Sequence, residues 1–206
     1  MNQLEQGLIA LGLSLDEAAR QQLINYLQLL EKWNRVYNLT SVRKPEQMVT
    51  HHLLDSLAVI PNIKASRILD IGSGAGLPGI PLAIANKNWQ VEMLDSNNKK
   101  TRFIKQAISE LGIENAGVVH SRAEEYHPDK PYDTVISRAY SSLEKMVTTA
   151  GQLCAKDGCL LAMKGAYPMM ELEQVLEPFQ VSEVCPLKVP GLGAERHVVV
   201  LRHRPS

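Results

Sequence analysis

The chain has 206 residues, of which 45% are hydrophobic and 21% charged. This composition suits one α/β domain with a small appendage and excludes an intrinsically disordered protein. The 22 basic and 22 acidic residues give a formal net charge of zero, which argues against a protein that coats nucleic acid through a global positive field but allows a local basic site.

The cysteines and the N-terminal sequence indicate a reducing compartment. Cys154, Cys159 and Cys185 form no C-x-x-C pair, so we expect buried, reduced thiols and neither a zinc site nor a redox motif. The first residues lack the basic segment and apolar core of a signal peptide, and no apolar run is long enough to span a bilayer. We therefore expect a cytoplasmic protein that does not insert into a membrane.

Residues 1–62 are predicted to form a helical segment. Apolar residues recur at helical spacing near the N-terminus, which predicts a first helix. Ser14, with Glu17 three positions later, predicts a capping box at the start of a second helix. A third helix is predicted from about residue 46 to 59, because Pro61 follows it.

Strands and helices alternate in residues 63–206. The predicted strands cover residues 67–70, 90–95, 117–120, 132–136, 159–163, 181–189 and 197–201. The predicted helices cover residues 78–85, 97–111, 142–153 and 169–176. Such alternation predicts a mostly parallel sheet with helices on both faces.

The end of the chain departs from this alternation. Only a short link that contains PGLG (residues 190–193) lies between the last two strands. It is too short for a crossover helix, so these strands are predicted to pair antiparallel. A seven-stranded, mostly parallel sheet with an antiparallel last strand is typical of class I methyltransferases, which are Rossmann-like α/β proteins. We predict this fold for residues 63–206, with residues 1–62 as an N-terminal helical extension.

A glycine-rich loop, DIGSGAGLPG at residues 70–79, follows the first predicted strand. Its glycines, Gly72 and Gly74 among them, allow the backbone to approach a ligand closely, and the helix behind them offers free N–H groups. The loop also contains the G-x-G-x-x-G fingerprint of nicotinamide-dependent enzymes, with Asp95 placed to bind ribose hydroxyls. Asp70, two positions before the first glycine, and the antiparallel hairpin favour S-adenosylmethionine over NAD.

The segment after the third predicted strand, residues 121–125 (SRAEE), lies at the carboxyl edge of such a sheet. There Glu124 is able to accept a hydrogen bond from an adenine amine, and the Ala123 backbone is able to meet the ring edge. A solvated turn of charged residues is the alternative interpretation of the same segment.

The segment after the fourth predicted strand, residues 137–140 (SRAY), bears on the methyl acceptor. It lacks the Asn-Pro-Pro-Tyr element of enzymes that methylate exocyclic amines. Pyrimidine C5 enzymes need a nucleophilic cysteine, commonly in a Pro-Cys pair, whereas Cys185 precedes a proline and lies in the tail. The remaining possibility is an acceptor atom that is already nucleophilic. Guanine N7 is such an atom, because it needs positioning but no general base.

Basic side chains are candidates for contacts with such an acceptor. Arginine is the usual partner of guanine O6 and N7, which makes Arg138 and Arg196 candidates, although Arg138 is equally suited to a methionine carboxylate or a backbone carbonyl. Lys164 adds local positive charge. His51 and His52 are adjacent and point to different sides of a helix, so we expect no metal site.

Segments along nearly the whole chain resemble one known family in its order. They are residues 32–41 (KWNRVYNLTS), 51–57 (HHLLDSL), 70–81, 94–96 (LDS), 121–124 (SRAE), 137–139 (SRA), 164–165 (KG) and 195–197 (ERH). The chain resembles the RsmG family, also called GidB, of bacterial small-subunit (16S) ribosomal RNA guanine-N7 methyltransferases. The resemblance implies S-adenosylmethionine as cofactor, bound at Gly72, Leu77, Ala123, Glu124 and Arg138. It also implies a guanine in the decoding-region loop as substrate.

We therefore predict an RNA guanine-N7 methyltransferase that acts as a monomer on small-subunit ribosomal RNA or a ribosomal particle. Arg138, Lys164 and Arg196 are the candidate catalytic residues near the target base or its phosphates. An unpaired loop guanine is the expected target, because proteins recognise unstacked bases more readily than duplex edges. The alternatives are a small-molecule methyltransferase on the same fold and a non-catalytic nucleotide-sensing module.

Overall fold

The computed structural model describes residues 3–64, 66–140 and 142–205, and within them seven strands form one mixed sheet. The strands are β1 (Arg67–Ile71), β2 (Gln90–Asp95), β3 (Ala116–His120), β4 (Tyr132–Arg138), β5 (Cys154–Lys164), β6 (Phe179–Pro186) and β7 (His197–His203). Their order is β3-β2-β1-β4-β5-β7-β6, and β7 runs antiparallel to both of its neighbours. The predicted mixed sheet with an antiparallel last strand is confirmed.

Helices cover both faces of the sheet. They are α1 (Gln3–Ala10), α2 (Glu17–Tyr37), α3 (Pro45–Met48), α4 (Asp55–Leu57), α5 (Gly79–Ala85), α6 (Asn98–Glu110), α7 (Leu143–Ala150) and α8 (Met169–Leu172). A π-helical turn, Val49–Leu54, joins α3 to α4 without a break. The central strands β1 and β4 are buried over nearly their whole length because helices cover both faces of the sheet, as in other parallel sheets.

The N-terminal helices share one hydrophobic cluster with α5, α6 and one face of the sheet. Leu23 and Leu30 of α2 are fully buried in it, and Tyr26 donates a hydrogen bond from its hydroxyl to the Ala75 carbonyl at 2.7 Å. A second cluster, centred on α7, covers the opposite face. Packing is thus continuous across residue 62, where the sequence suggested a boundary, and the two-domain division stays a prediction.

Several local predictions differ from the structure. The N-cap of α2 is Asp16, whose carboxylate accepts from the Ala19 N–H at 2.7 Å, so the capping box on Ser14 was wrong. Two capping residues lay within one turn of each other there, and spacing alone did not discriminate between them. Helix α5 begins at Gly79, one residue later than predicted, and α8 ends at Leu172 instead of residue 176.

The sequence predicts buried cysteines and no membrane-spanning segment. Cys154 and Cys159 are buried, as predicted, whereas Cys185 is only half-buried. Within the ranges that the structure describes, no helix is both long and apolar enough to cross a membrane.

Candidate active site

Two cavities meet at the carboxyl edge of the sheet. The first, called here the loop cavity, has a volume of about 340 Å³. Its lining residues are Gly72, Leu94, Asp95, Ser96, Lys100, Ser121, Arg122, Ala123, Glu124, Ala139, Tyr140 and Lys145. The second, called here the arginine cavity, has a volume of about 550 Å³. Its lining residues are Thr40, Ser41, Val42, His51, His52, Asp55, Arg138, Ala139, Tyr140, Met163, Lys164, Gly165, Glu171 and Arg196. Ala139 and Tyr140 line both cavities, so the two cavities are adjacent.

The glycine loop is fixed from below by Asp70. The Gly79 N–H, at the start of α5, donates to Asp70 Oδ2 at 2.9 Å. Gly72 has a φ angle of +65°, and a Cβ at this position would lie 3.5 Å from the Tyr140 ring. A side chain there would be strained and would fill the gap between the loop and Tyr140, and glycine keeps that gap open for a ligand.

Asp95, predicted to bind ribose, also holds the glycine loop. Its Oδ2 accepts from the Gly74 N–H at 2.9 Å, and its Oδ1 accepts from the Asn97 N–H at 2.8 Å. A carboxylate has about four acceptor sites, so the same group can still accept from a ligand hydroxyl.

Leu77 is buried, with 4% of its surface exposed, and is not among the residues that line the loop cavity. It therefore lies under the glycine loop.

The turn after β3 lies against the same cavity. Ala123 and Glu124 begin a 3₁₀ turn, Ala123–Glu125, and both line the loop cavity together with Gly72 and Asp95. Ala123 is nearly buried, whereas Glu124 is exposed. The structure thus brings together side chains that are more than 20 positions apart in sequence, because β1, β2 and β3 are adjacent and end at the same edge.

Arg138 and Arg196 meet in the arginine cavity through a residue that sequence reasoning did not single out. Arg138 Nη1 donates to Asp55 Oδ2 at 2.9 Å, and Arg196 Nε donates to Asp55 Oδ1 at 2.8 Å. Arg138 Nη1 also donates to the His51 carbonyl at 2.8 Å, which is the backbone contact considered as an alternative for it. The Asp55 side chain is 3% exposed, against 22% for Arg138 and 25% for Arg196.

The sequence around Asp55 contains a feature that could have identified it. It stands in an apolar run, HHLLDSL, and Leu53, Leu54 and Leu57 around it are all buried. An acidic residue on the apolar face of a helix is buried with a partner far more often than without one. The family resemblance of this segment implies no chemical role for the carboxylate.

Lys164 lies at the carboxyl end of β5 on the wall of the arginine cavity. Its Nζ is 2.7 Å from Glu171 Oε2, and the same oxygen accepts from the Leu143 N–H at 2.8 Å. Glu171 therefore ties α8 to the start of α7 and brings negative charge to the cavity wall.

Buried titratable groups beside the site have shifted pKa values. Burial, followed by the charge of Arg138, lowers the pKa of His52 to about 4. Its Nε2 lies 3.1 Å from Thr40 Oγ1, so the imidazole is a neutral hydrogen-bonding group at pH 7. Burial raises the pKa of Asp70 to about 7, against the opposing effect of the Gly79 N–H. Asp70 Oδ1 is buried and has no hydrogen-bond partner among the described residues.

The Asp70→Asn variant is expected to be more heat-stable than the parent at pH 8. The folded carboxyl keeps its proton up to about pH 7, whereas the unfolded one loses it near the ordinary value of 3.8. The folded state therefore binds more protons between these values, and the contribution of Asp70 to stability falls as pH rises. Calorimetric melting from pH 5 to 8 is expected to show a shallower decline for Asp70→Asn. The exposed Asp157→Asn serves as control, and equal slopes for the parent and both variants would contradict the prediction.

Comparisons with known proteins show the family of this chain. A model of the family described as rRNA small subunit methyltransferase G matches residues 19–199. The chain is 51% identical over 207 residues to "Ribosomal RNA small subunit methyltransferase G" of Nitrosospira multiformis, with 97% of this chain and 96% of the relative covered. The protein of that name from Nitrosococcus oceani is 50% identical over 203 residues, with 98% and 95% covered.

Solved structures with low sequence identity share the fold. The glycopeptide N-methyltransferase MtfA complexed with S-adenosyl-L-methionine has a TM-score of 0.65 at 10% identity, with 75% of this chain and 88% of that chain covered. A ribosomal protein L11 methylase from Lactobacillus delbrueckii subsp. bulgaricus has a TM-score of 0.56 at 14% identity, with 74% and 77% covered. These likenesses confirm the class I methyltransferase fold predicted from the strand pattern.

Proposed function

The chain belongs to the rRNA small subunit methyltransferase G family, and from that premise we propose that it transfers the methyl group of S-adenosylmethionine to N7 of a guanine in small-subunit (16S) ribosomal RNA. The observation that carries this proposal is the junction of the loop cavity and the arginine cavity at Ala139 and Tyr140. One cavity suits a nucleoside-containing methyl donor, and the other suits an anionic, hydrogen-bonding acceptor.

The residues around the loop cavity fit S-adenosylmethionine. Asp95 offers acceptors for ribose hydroxyls, and Glu124 offers an acceptor for the adenine amine. Gly72 keeps open the gap beside Tyr140. The Asp70 carboxyl, whose Oδ1 has no hydrogen-bond partner among the described residues, is an acceptor beneath the loop for the methionine ammonium group. When bound, the cofactor supplies a methyl group on a positively charged sulfur. Gly74 and Leu77 contribute by holding the loop in shape.

For methyl transfer to guanine N7, the protein must position the base. Guanine N7 has a free lone pair and no proton to remove, so no general base is required, and His52 stays neutral and buried. Arg138 and Arg196 donate to O6 of the base or to its phosphates and hold the purine beside Ala139 and Tyr140. The contribution of the chain to the rate is then orientation and electrostatics.

The enzyme acts as a monomer in the bacterial cytoplasm, on ribosomal RNA or a ribosomal particle. The support for a monomer is that residues of one chain line both cavities. The support for the location is the substrate, because ribosomal RNA is made and assembled there.

A tritium transfer assay tests the proposal. Labelled S-adenosylmethionine is incubated with small ribosomal subunits, with protein-free 16S RNA and with small acceptors, and the modified base is then mapped. Label on one guanine N7 in subunits or RNA supports the proposal. Label on small acceptors alone would favour the small-molecule alternative, and cofactor binding without transfer to any acceptor would favour the sensing module.

Lys164→Gln is expected to weaken RNA binding with little effect on cofactor binding. Lys164 lies on the wall of the arginine cavity, and a lysine that contacts one phosphate releases about one counterion, so the slope of log affinity against log salt should fall by about one. Salt titrations by fluorescence anisotropy measure that slope. Lys156→Gln, which removes an exposed lysine near the other end of β5, is the matched control. An unchanged slope for Lys164→Gln would exclude a phosphate contact.

A further inference from the structure

Asp55 lies where the helical extension meets the arginine cavity, directly after the π-helical turn Val49–Leu54. Its two carboxylate oxygens are divided between two arginines, with Oδ2 on Arg138 Nη1 and Oδ1 on Arg196 Nε. Building on the proposed function, we propose that Asp55 is a positioning residue for methyl transfer. It fixes both guanidinium groups so that each presents its remaining N–H groups to the RNA.

The two arginines come from unrelated parts of the fold and need a common anchor. Arg138 is the last residue of β4, whereas Arg196 lies in the loop that precedes β7. Arginine side chains have many rotamers, and two guanidinium groups in one cavity repel each other. A carboxylate that is 3% exposed and accepts from both restricts their rotamers and offsets the repulsion.

The hydrogen bonds of the two arginines leave some of their N–H groups available to a substrate. Arg138 Nη1 is used by Asp55 and by the His51 carbonyl at 2.8 Å, and Arg196 Nη1 donates to the Glu195 carbonyl at 2.9 Å. In the part of the chain that the structure describes, Nη2 of either arginine has no hydrogen-bond partner. With both residues on the cavity wall, these Nη2 groups are the donors for O6 or a phosphate.

Asp55 also suits the charge of the product. Methylation at N7 leaves a positive charge on the guanine, which two unscreened guanidinium groups would oppose. The shared carboxylate reduces the charge of the trio from two to one, and its burial strengthens that compensation.

The first test compares turnover of Asp55→Asn with that of Ser56→Ala. Asparagine keeps the size of the side chain but replaces one acceptor with a donor that faces an arginine. With RNA and cofactor saturating, kcat of Asp55→Asn is expected to fall about 30-fold, within the roughly 100-fold that small misplacements cost. Ser56 is equally buried and its hydroxyl has no partner among the described residues, so Ser56→Ala should stay within about twofold.

A double-mutant cycle separates positioning from a purely structural ion pair. In an Arg196→Gln background, Asp55→Asn is expected to lower kcat several-fold less than it does in the parent enzyme, because half of its role is already lost. An equal loss in both backgrounds, or a parent-like kcat for folded Asp55→Asn, would overturn the proposal.

A spectroscopic test uses the unaltered protein and does not depend on activity. In a proton–nitrogen correlation spectrum of arginine Nε groups, the Arg196 signal, assigned with Arg196→Lys, is expected to exchange slowly with solvent. Rapid exchange would contradict the anchor, whether or not Asp55→Asn folds. Failure of the unaltered enzyme to methylate any RNA would instead count against the proposed function, and slow exchange of Arg196 would still support the anchor.

Discussion

Replacing Arg138 with alanine is expected to reduce kcat/KM for RNA methylation by at least about 1,000-fold. Removal of one preorganised donor from a reaction site costs roughly 100-fold to 1,000-fold on its own. Arg138 also lies directly before Ala139, where the two cavities meet, and its loss leaves the buried Asp55 with one arginine instead of two. Placement of the base and the electrostatics of the arginine cavity are therefore disturbed together.

Steady-state kinetics with 16S RNA or subunits measure this effect. Calorimetric binding of S-adenosylmethionine separates a loss of cofactor binding from a loss of turnover. A loss confined to cofactor binding would assign Arg138 to the methionine carboxylate, whereas a loss in kcat with saturating substrates assigns it to the acceptor. Arg102→Ala, which removes an exposed arginine on α6, is the matched control. Near-normal turnover of Arg138→Ala would remove this residue from the site.

Replacing Asp95 with alanine is expected to weaken S-adenosylmethionine binding by about 100-fold. A hydrogen bond between a carboxylate and a ribose hydroxyl contributes about 1.5–3 kcal/mol, which corresponds to a factor of roughly 10 to 150. In addition, the variant deprives the Gly74 and Asn97 N–H groups of their acceptor, so the glycine loop loses its present shape before any ligand arrives.

Isothermal titration calorimetry gives the dissociation constant of S-adenosylmethionine directly. Melting curves show whether the change in the glycine loop also lowers the stability of the whole protein. Asp157→Ala, at an exposed position of β5, is the control for removal of a carboxylate. An affinity for S-adenosylmethionine within threefold of the parent would show that Asp95 does not contact the cofactor and serves the loop alone.

The predictions that came from neighbouring residues agree best with the structure. The succession of strands and helices along the chain could be predicted from local patterns, because apolar runs, glycine positions and loop lengths are short-range features. The short link before β7, which covers residues 187–196 in the structure, was enough to predict an antiparallel pair. Residues 70–79 were interpreted as a ligand loop because acidic and glycine positions at fixed spacing have few other uses, and that role stays a prediction.

The choice among capping residues and the ends of α5 and α8 was less predictable. Asp16 and Ser14 are both good N-caps, and the energy difference between such caps is small. Packing of α2 against α5 and α6 is a tertiary feature that local spacing does not encode.

By itself, the sequence determined the fold class, the glycine loop with Asp70 and Asp95, and the candidate arginines. Only the tertiary structure decided how the arginine cavity is built, because its contacts join distant positions. Asp55 meets Arg138 across 83 positions and Arg196 across 141 positions. No local spacing encodes such a meeting. It follows from the packing of the helical extension beside the sheet, which places one buried carboxylate between the end of β4 and the loop before β7.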